Sequence, residues 1–280
     1  MNLFVSVIYN TYTYTYYQMI PKIIHQTWKT LDVPDEWKDA VESCKNKHKD
    51  YKHIIWSHEM MESFVKKEYP DFYNVYMVYP YDIQRCDAFR YLVLYKYGGI
   101  YLDMDIICKK NLDSLLDYEL VMSRSSNVTS YYANAFYMVI PNHPFIKFCI
   151  DNLPDYVNSY YYFGKHWHIM NSTGSHFLTK MIKKYREKNI KNLYILDDRE
   201  FVGDCSVCLN HKCLGGTFFK HVYINKTWNS LDSAIYNFML CNYKKIIVGL
   251  LVLIAAYYIF FKRNKLLKSI KFKTYFNKNT

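Results

Sequence analysis

The stretch that most constrains the fold runs from residue 82 to residue 105, where a helical pattern passes through a glycine pair into a short strand pattern with two aspartates. Apolar side chains recur at the spacing of one helix face, at Ile83, Cys86, Phe89 and Val93. Gly98 and Gly99 permit the left-handed backbone with which helices commonly end. We therefore predict a helix over Asp82–Tyr97 that turns directly into a strand over Gly99–Asp105.

Asp103 and Asp105 stand two positions apart in the strand pattern. Their side chains are then expected on one face of the strand, with roughly 6.5–7 Å between the Cα atoms. Carboxylate oxygens are hard ligands that select Mg²⁺, Mn²⁺ or Ca²⁺, and Mg²⁺ is usually held by one or two carboxylates together with substrate phosphates. The pair therefore predicts a metal site that also takes a diphosphate.

Asp87 and Arg90, at positions i and i+3 of the predicted helix, place an acid beside a base. Taken alone, such a pair is an exposed helical ion pair followed by a turn. Together with the two aspartates, it favours a site for a sugar nucleotide and a metal. Cys86, on the same helix, is expected to be a core residue rather than a reactive thiol.

This stretch resembles the Asp-x-Asp region of glycosyltransferase family 32, with Cys86 where the family usually has serine. Residues 20–30 are similar to the motif that opens the catalytic domain of that family. Residues 172–179 resemble its Thr-Gly-Pro segment, with Ser175 in place of proline, and residues 221–228 resemble its terminal His and Ser-Trp element. The resemblance implies a GT-A fold, which is a Rossmann-like α/β domain, and transfer of a sugar with retention of anomeric configuration.

Carried over position by position, the resemblance implies a set of site residues. Asp87 and Arg90 would contact the sugar nucleotide, and Asp103 and Asp105 would bind the donor sugar and Mn²⁺ or Mg²⁺; Arg90 and the two aspartates form the catalytic set. Trp28 would lie near the nucleobase and Trp228 near the diphosphate. His221 could complete the metal or phosphate shell, although a single histidine is more often structural, and the same alternative applies to His25.

An uncharged apolar run over residues 246–261 follows this region, between two pairs of basic residues. Sixteen helical residues span roughly 24 Å, against about 30 Å of hydrocarbon, and flanking side chains can cover the difference. We predict an N-terminal segment over 1–19, a catalytic domain over 20–240, a transmembrane helix over 244–262 and a basic tail over 263–280. The alternative for the apolar run is a buried helix.

The net charge of +11 belongs to the C-terminal part of the chain, since residues 241–280 contain nine Lys and Arg and no Asp or Glu, which leaves 11 − 9 = +2 for the rest. We therefore expect no nucleic acid partner. The positive-inside rule places the basic tail in the cytosol and the catalytic domain in the lumen of the Golgi or the ER. Residues 1–19 are a poor signal sequence, so a catalytic domain on the cytosolic face is the alternative. Sequons at Asn127, Asn171 and Asn225 slightly favour the lumen.

The eight cysteines leave the compartment open. Cys205, Cys208, His211 and Cys213 have the ligand types of a small zinc knuckle, but local disulfides or free thiols explain them as well. Residues 158–168, rich in Tyr, Trp and His, are expected either as a sugar-facing loop or as aromatic surface packing. The other expected strands are 23–24, 53–56, 119–122, 136–140 and 194–196, and the other expected helices are 35–48, 57–69, 71–79, 143–157 and 172–187.

The resemblance, combined with the C-terminal apolar run, implies a membrane-anchored enzyme similar to mannosyl inositol phosphorylceramide synthases. It would move a hexose, with mannose from GDP-mannose favoured over a UDP-hexose, to a glycolipid of the inositol phosphorylceramide type in sphingolipid metabolism. A glycosyltransferase acting on glycoprotein glycans is the close alternative. A glycoside hydrolase, which also uses two carboxylates, and an inactive membrane scaffold are the remaining alternatives.

Overall fold

The computed structural model of this chain describes residues 19–124, 131–203, 214–222 and 231–276, with side chains described up to residue 263. Several of the expected features lie outside these residues. They are Trp228, the cysteine-rich segment 205–213, the sequons at Asn127 and Asn225 and nearly all of the N-terminal segment 1–19.

The described chain alternates helices and strands. The strands are β1 (Ile23–Thr27), β2 (Lys52–Trp56), β3 (Gly99–Leu102), β4 (Ile106–Cys108), β5 (Leu120–Ser123), β6 (Phe136–Val139), β7 (Leu193–Leu196) and β8 (Phe219–His221). The helices are α1 (Asp35–Lys47), α2 (His58–Glu68), α3 (Pro70–Val78), α4 (Asp82–Tyr97), α5 (Pro144–Tyr156), α6 (Lys165–Ser172), α7 (Ser175–Tyr185) and α8 (Leu231–Phe276).

Six of the strands form one mixed sheet in the order β2-β1-β3-β6-β5-β7. β1 pairs in parallel with β2 and β3, so the expected βαβ opening is confirmed. β6 runs antiparallel to both β3 and β5, and β7 runs parallel to β5. The expected Rossmann-like α/β domain is therefore present, with β3 near the middle of the sheet.

Local sequence signals explain where several helices begin and end. Ser57 accepts a hydrogen bond from the backbone of Met60 at the start of α2. Prolines occupy the first positions of α3 and α5, where their missing N–H groups are tolerated. α4 ends at Gly98, whose φ is +63°, and a Cβ on Gly99 would lie 2.6 Å from the carbonyl oxygen of Ile23. The glycine pair is thus required both for its conformation and for the close approach of β1.

The predicted strand 99–105 is wrong at its C-terminal end, because β3 stops at Leu102. The ladder with β6 ends there, and the backbone N–H of Asp103 makes one last bond to Ala135. The chain then turns, with the N–H of Ile106 donating to the carbonyl of Asp103, and enters β4, which pairs with β8 in a separate two-stranded sheet. Both aspartates therefore lie in a turn between two sheets, not along one strand.

A disulfide joins Cys44 of α1 to Cys108 of β4. It connects two elements that pack on each other, and β4 follows the aspartate turn in the chain. Cys86 and Cys149 are free and buried, which agrees with the expectation that Cys86 is a core residue. Burial raises the pKa of the Cys86 thiol to about 12, so it is neutral at physiological pH.

α8 starts well before the predicted transmembrane segment and continues past it. Within the described chain, residues 231–263 are the one helical stretch long and apolar enough to cross a membrane, and none of its most apolar window is buried against the domain. This agrees with a candidate membrane span rather than with a buried core helix. The first two turns of α8 pack against α6, which accounts for the early start of the helix.

Candidate active site

A cavity of about 410 Å³ opens at the C-terminal end of β3. In a parallel βαβ arrangement, this edge of the sheet is where ligands are bound. The N-terminal part of α4, the end of β1, the aspartate turn and the start of α6 surround the cavity. The lining residues that matter below are Trp28, Tyr81, Arg90, Asp103, Asp105 and Lys165.

Arg90 and Asp87 form an ion pair inside the protein. The guanidinium nitrogen Nη2 of Arg90 lies 2.6 Å from Oδ1 of Asp87, and the two side chains are only 2% and 5% exposed. The alternative interpretation of Asp87 and Arg90 as an exposed helical ion pair is therefore wrong. The reason is that α4 is buried on nearly every side between the sheet and the surrounding helices, so its polar side chains must satisfy one another.

Two further side chains hold Asp87 in place. Nδ2 of Asn134 donates to Oδ1 of Asp87 at 3.0 Å, and the hydroxyl of Thr173 donates to Oδ2 at 2.9 Å. Asp87 does not line the cavity, whereas Arg90 does. The structure thus brings Asp87 to the site as the residue that positions Arg90, and its direct contact with a sugar nucleotide stays a prediction.

Arg90 also reaches the aspartate turn. Its Nη2 lies 3.5 Å from Oδ1 of Asp103, and its guanidinium carbon lies 4.5 Å from the centre of the Tyr101 ring. Burial raises the pKa of Asp103 to about 7; the positive charge of Arg90 opposes this rise and the negative charge of Asp105 adds to it. An added positive charge at the turn would therefore strongly favour the ionised form of this carboxyl group.

Asp105 contacts His221 across the small second sheet. The register of β4 and β8 places Ile106 opposite His221, so Nε2 of His221 comes within 3.2 Å of Oδ2 of Asp105. Burial is the largest single effect and lowers the pKa of His221, but the hydrogen bond to Asp105 and the negative charges of Asp105 and Asp103 together outweigh it, so the pKa is raised. The structure thus brings His221 together with Asp105, one of the two aspartates expected to bind the metal.

Two buried polar atoms at this site lack a hydrogen-bond partner within the part of the chain that the structure describes. Oδ1 of Asp105 and Nε of Arg90 are buried without a hydrogen-bond partner among those residues. A buried carboxylate oxygen in this state is expected to accept a ligand, and two neighbouring carboxylates suit a hard divalent cation. No group of three or more His, Cys, Asp or Glu side chains in the described chain is arranged to hold a metal by itself. The two aspartates therefore fit a cation whose remaining ligands are phosphate oxygens and water, and the place of His221 in the metal shell stays a prediction.

Trp28, the residue expected near the nucleobase, lies on the cavity wall next to the end of β1. Its ring meets the ring of Trp37 edge to face, with 4.4 Å between the centroids. Trp28 is half-buried, and the ammonium group of Lys29 lies 5.8 Å from the centre of its ring. Stacking on an aromatic face is a common way to bind a base, and the contact of Trp28 with a nucleobase stays a prediction.

His25 has a structural role. Its Nδ1 accepts a hydrogen bond from Nε1 of Trp56, and its Nε2 donates to the carbonyl oxygen of Gly98, both at 3.1 Å. The side chain is fully buried, which lowers its pKa to about 4. The neutral imidazole therefore links β1 and β2 to the end of α4 and takes no part in the cavity.

Sequence reasoning missed three residues at the site. Asn134 and Thr173 fix the Asp87 carboxylate, and Lys165 lines the cavity. Thr173 lies in a motif that was recognised only as a resemblance to the family, and Lys165 lies in the aromatic stretch 158–168. Asn134 carried no local signal, because its role depends on the pairing of β6 with β3.

A second hollow, of about 550 Å³, lies around the end of β5 and α7. It contains neither aspartate of the turn. Its polar lining consists of exposed basic side chains and Glu187, which accepts a hydrogen bond from Tyr132. The smaller cavity is therefore the candidate site, because it alone combines the aspartate turn with Arg90.

Residues 34–122 match the family model described as "Glycosyltransferase sugar-binding region containing DXD motif". Inositol phosphoceramide mannosyltransferase 1 of Schizosaccharomyces pombe is 33% identical over 82% of this chain and 69% of the relative. Inositol phosphoceramide mannosyltransferase 3 of the same organism is 42% identical over 60% of this chain and 46% of the relative. Mannosyl phosphorylinositol ceramide synthase SUR1 of Saccharomyces cerevisiae is 40% identical over 62% and 44%, respectively. This chain thus spans less than half the length of the last two relatives.

Among solved structures, mouse xyloside xylosyltransferase 1 matches with a TM-score of 0.44 at 12% identity, over 73% of this chain and 98% of that chain. The family itself is established by the sequence relatives and by the matched region, which contains Asp103 and Asp105. The chain belongs to the family of glycosyltransferases with a DXD-containing sugar-binding region, the family 32 type that its motifs resembled.

Proposed function

We propose that this chain is a membrane-attached, metal-dependent, retaining glycosyltransferase that moves mannose from GDP-mannose to a lipid acceptor of the inositol phosphorylceramide type. The single observation that carries the proposal is the aspartate turn at the end of β3, with Arg90 directed at it from the buried ion pair with Asp87. This arrangement concentrates groups suited to a nucleoside diphosphate at one end of the cavity.

The protein side chains of the cavity have separate roles in this proposal. Departure of a nucleoside diphosphate leaves negative charge on its oxygens, and Arg90, already held rigidly, stabilises that charge without reorganisation. Asp87, Asn134 and Thr173 supply the rigidity. Trp28 offers a ring face to the nucleobase. In this proposal the donor is held at its nucleobase by Trp28 and at its diphosphate by Arg90. The sugar then lies next to the part of the cavity that receives the acceptor.

Asp103 and Asp105 would hold the divalent cation, Mn²⁺ or Mg²⁺, through their carboxylate oxygens. A cation bound there would neutralise charge on the departing diphosphate. Asp105 is oriented for this by His221, since the hydrogen bond to Oδ2 leaves Oδ1 directed elsewhere. Burial is the main cause of the raised pKa of Asp103, and the negative charge of Asp105 adds to it, so a cation held at the turn would favour the ionised carboxylate.

The relatives support the sugar and the acceptor. Their names describe mannosyltransferases that act on inositol phosphoceramide. The candidate membrane span in α8 agrees with an acceptor that resides in a membrane. An initiation-specific alpha-1,6-mannosyltransferase of Candida albicans is a more distant relative, 29% identical over 38% of this chain and 30% of the relative. A glycan of a glycoprotein is accordingly the alternative acceptor.

We further propose that the catalytic domain faces the lumen of the Golgi or the ER. The disulfide between Cys44 and Cys108 supports an oxidising compartment, since such bonds are rare in the cytosol. The basic residues after the apolar segment favour a cytosolic tail. The sequon at Asn171 adds no support, because the side chain is buried and is bonded to Trp167 and Lys180.

The test is a transfer assay on the full-length chain in detergent. GDP-mannose, UDP-glucose, UDP-galactose and UDP-N-acetylglucosamine are each offered with inositol phosphorylceramide or with an N-glycan acceptor, with and without Mn²⁺. We expect Mn²⁺-dependent formation of the mannosylated lipid with GDP-mannose alone. Transfer to the glycan only would establish the alternative acceptor. No donor binding by the folded protein with any metal would reject the proposal in favour of a hydrolase or a scaffold.

A further inference from the structure

We infer that Lys165 forms an anion subsite that binds the phosphodiester of the lipid acceptor, on the cavity wall next to the membrane helix. This inference rests on the proposed function and extends it to the acceptor. The proposal combines three observations, namely the position of Lys165 in the cavity, the absence of a carboxylate partner in the described chain and the contacts of its two neighbours with α8.

Lys165 is the first residue of α6 and one of the residues that line the cavity. Its Nζ lies 5.2 Å from the centre of the Tyr81 ring, and both side chains are half-buried. The ammonium group therefore lies over the face of an aromatic ring that also lines the cavity, in a cation–π contact. The ring contact thus holds the ammonium group at the wall of the cavity.

The described cavity contains few cations that could bind an acceptor anion. Arg90 is already engaged by Asp87 and Asp103. Lys29 is exposed, whereas Lys165 is half-buried. No carboxylate of a described residue lies within 4.0 Å of Nζ of Lys165. Among the described lysines that line this cavity, Lys165 is therefore the half-buried one. No carboxylate of the described chain pairs with its ammonium group.

The residues on either side of Lys165 lie against the first two turns of α8. The backbone N–H of His166 donates to Oδ2 of Asp232 at 2.6 Å, and its ring stacks on Tyr236 with 5.3 Å between the centroids. A Cβ on Gly164 would also lie 2.6 Å from Oδ2 of Asp232. Lys165, between these two residues, therefore lies where the membrane helix meets the cavity wall.

An exposed aromatic segment comes directly before this position. The side chains of Tyr160, Tyr161, Tyr162 and Phe163 are exposed, and Tyr162 is 95% accessible. Aromatic side chains of this kind are enriched where proteins meet the membrane–water interface. The stretch 158–168, expected either as a sugar-facing loop or as aromatic surface packing, therefore has two parts with different surroundings. Residues 160–163 are exposed, while Lys165 lines the cavity.

The order of these groups matches the order of groups in the acceptor. In a lipid of the inositol phosphorylceramide type, a hydrocarbon part is followed by a phosphodiester and then by a sugar alcohol whose hydroxyl group is glycosylated. In the protein, α8 and the aromatic segment are followed by Lys165 and then by the turn of Asp103 and Asp105. A lysine ammonium is a common phosphate binder that acts as a point charge. A phosphodiester next to Lys165 would leave the hydroxyl group directed at the donor end.

The test compares Lys165→Gln, Lys165→Arg and the control Lys147→Gln in the full-length chain in detergent. Lys147 is an exposed lysine of α5 that is paired with Asp151, so Lys147→Gln makes the same chemical change outside the cavity. We expect Lys165→Gln to raise the KM for inositol phosphorylceramide about ten- to hundredfold, as the loss of a charge-assisted hydrogen bond implies. The donor KM and Mn²⁺-dependent donor hydrolysis should not change. Lys165→Arg should stay within about threefold of the wild type, a range set by the retained charge.

An acceptor without a phosphate provides the internal comparison. The rate of transfer to a neutral glycosylceramide should be equally low for the wild type and Lys165→Gln. An increase in the donor KM, or an unchanged KM for the phosphate-bearing acceptor in Lys165→Gln, would overturn the assignment while the proposed function stood. Binding of inositol phosphorylceramide is measured alongside transfer. Binding that depends on Lys165 in a protein that transfers no mannose would support the subsite and reject the proposed reaction.

Discussion

Nη2 of Arg90 donates to Oδ1 of Asp87 at 2.6 Å inside the core, although both residues belong to the same helix. Ion pairs at this spacing usually lie on helix surfaces and contribute little. Here the pair is closed off by the sheet and by α6, and its guanidinium also reaches the aspartate turn. Stability and ligand binding therefore depend on the same side chain.

Replacement of Arg90 should reduce stability as well as donor use. Arg90→Ala leaves the Asp87 carboxylate buried without its cation, and we expect the free energy of unfolding to fall by about 3–5 kcal/mol. The control is Arg85→Ala, because Arg85 forms a more exposed pair with Asp82 on the same helix, and its effect should stay within about 1 kcal/mol. Chemical denaturation of the detergent-solubilised protein measures both. Equal stability of the two variants would show that the buried pair does not hold the site.

The charge of Asp105, rather than its shape, should be what binds the metal. Asp105→Asn retains an oxygen that can accept the hydrogen bond from His221 but removes the negative charge. We expect loss of Mn²⁺-dependent donor binding and transfer, with the midpoint of thermal unfolding within a few degrees of the wild type. Asp117→Asn, an exposed aspartate outside the cavity, serves as the control. Full activity of Asp105→Asn would contradict the metal site.

Mild acid should destabilise the fold through His25. The pKa of this side chain falls from its ordinary value of 6.5 to about 4 on folding, so the unfolded chain takes up the proton first as the pH falls. The free energy of unfolding should therefore decrease from about pH 6.5 down to about pH 4, with a loss of about 2 kcal/mol from this group at pH 5. Glutamine at position 25 cannot titrate. The decrease in the free energy of unfolding of His25→Gln at pH 5 should therefore be smaller by the contribution of His25. Parallel pH profiles of wild type and variant would contradict this prediction.

The disulfide between Cys44 and Cys108 should form in the folded protein and stabilise it. The two residues are separated by 64 positions, and closing a loop of that length restricts the unfolded chain by about 4 kcal/mol. The double variant Cys44→Ser, Cys108→Ser should lose a comparable amount of unfolding free energy. Peptide mapping without reductant should recover the two linked peptides. Alkylation of both thiols in denaturant without reductant would contradict the bond and weaken the case for a lumenal domain.

Removal of the membrane helix should release the catalytic domain. A chain without residues 242–280 keeps Asp232 and Tyr236, which contact α6, and loses the apolar run. We expect it to remain in the supernatant after centrifugation of membranes and to bind the donor with Mn²⁺. A chain that lacks only residues 264–280 is the control and should sediment. Persistent sedimentation of the shorter chain would instead implicate the N-terminal segment.

Much of the central architecture could be predicted from local patterns. The apolar period over residues 82–97 and the glycine pair located α4 and the start of β3 correctly. The prolines and the capping serine marked the ends of neighbouring helices. These signals were sufficient because they depend on backbone conformation and on the periodicity of burial, which are properties of a few consecutive residues.

The geometry of the site could not be predicted in the same way. The turn at Asp103 and Asp105 arises because the ladder with β6 ends at Leu102, and β6 comes much later in the chain. His221 reaches Asp105 only through the pairing of β4 with β8. Contacts between distant segments depend on the registers of several strands at once, and local patterns do not contain that information.

By itself, the sequence determined the chemical groups of the site, which are two carboxylates and an acid and a base on one helix. It also determined the C-terminal apolar helix, and it determined the family through motifs of contiguous residues. Only the tertiary structure decided that Asp87 is a buried support for Arg90, that Cys44 meets Cys108, and that Lys165 lies between α8 and the cavity. The physical reason is that burial and charge pairing depend on neighbours in space. Those neighbours are set by the packing of the whole sheet.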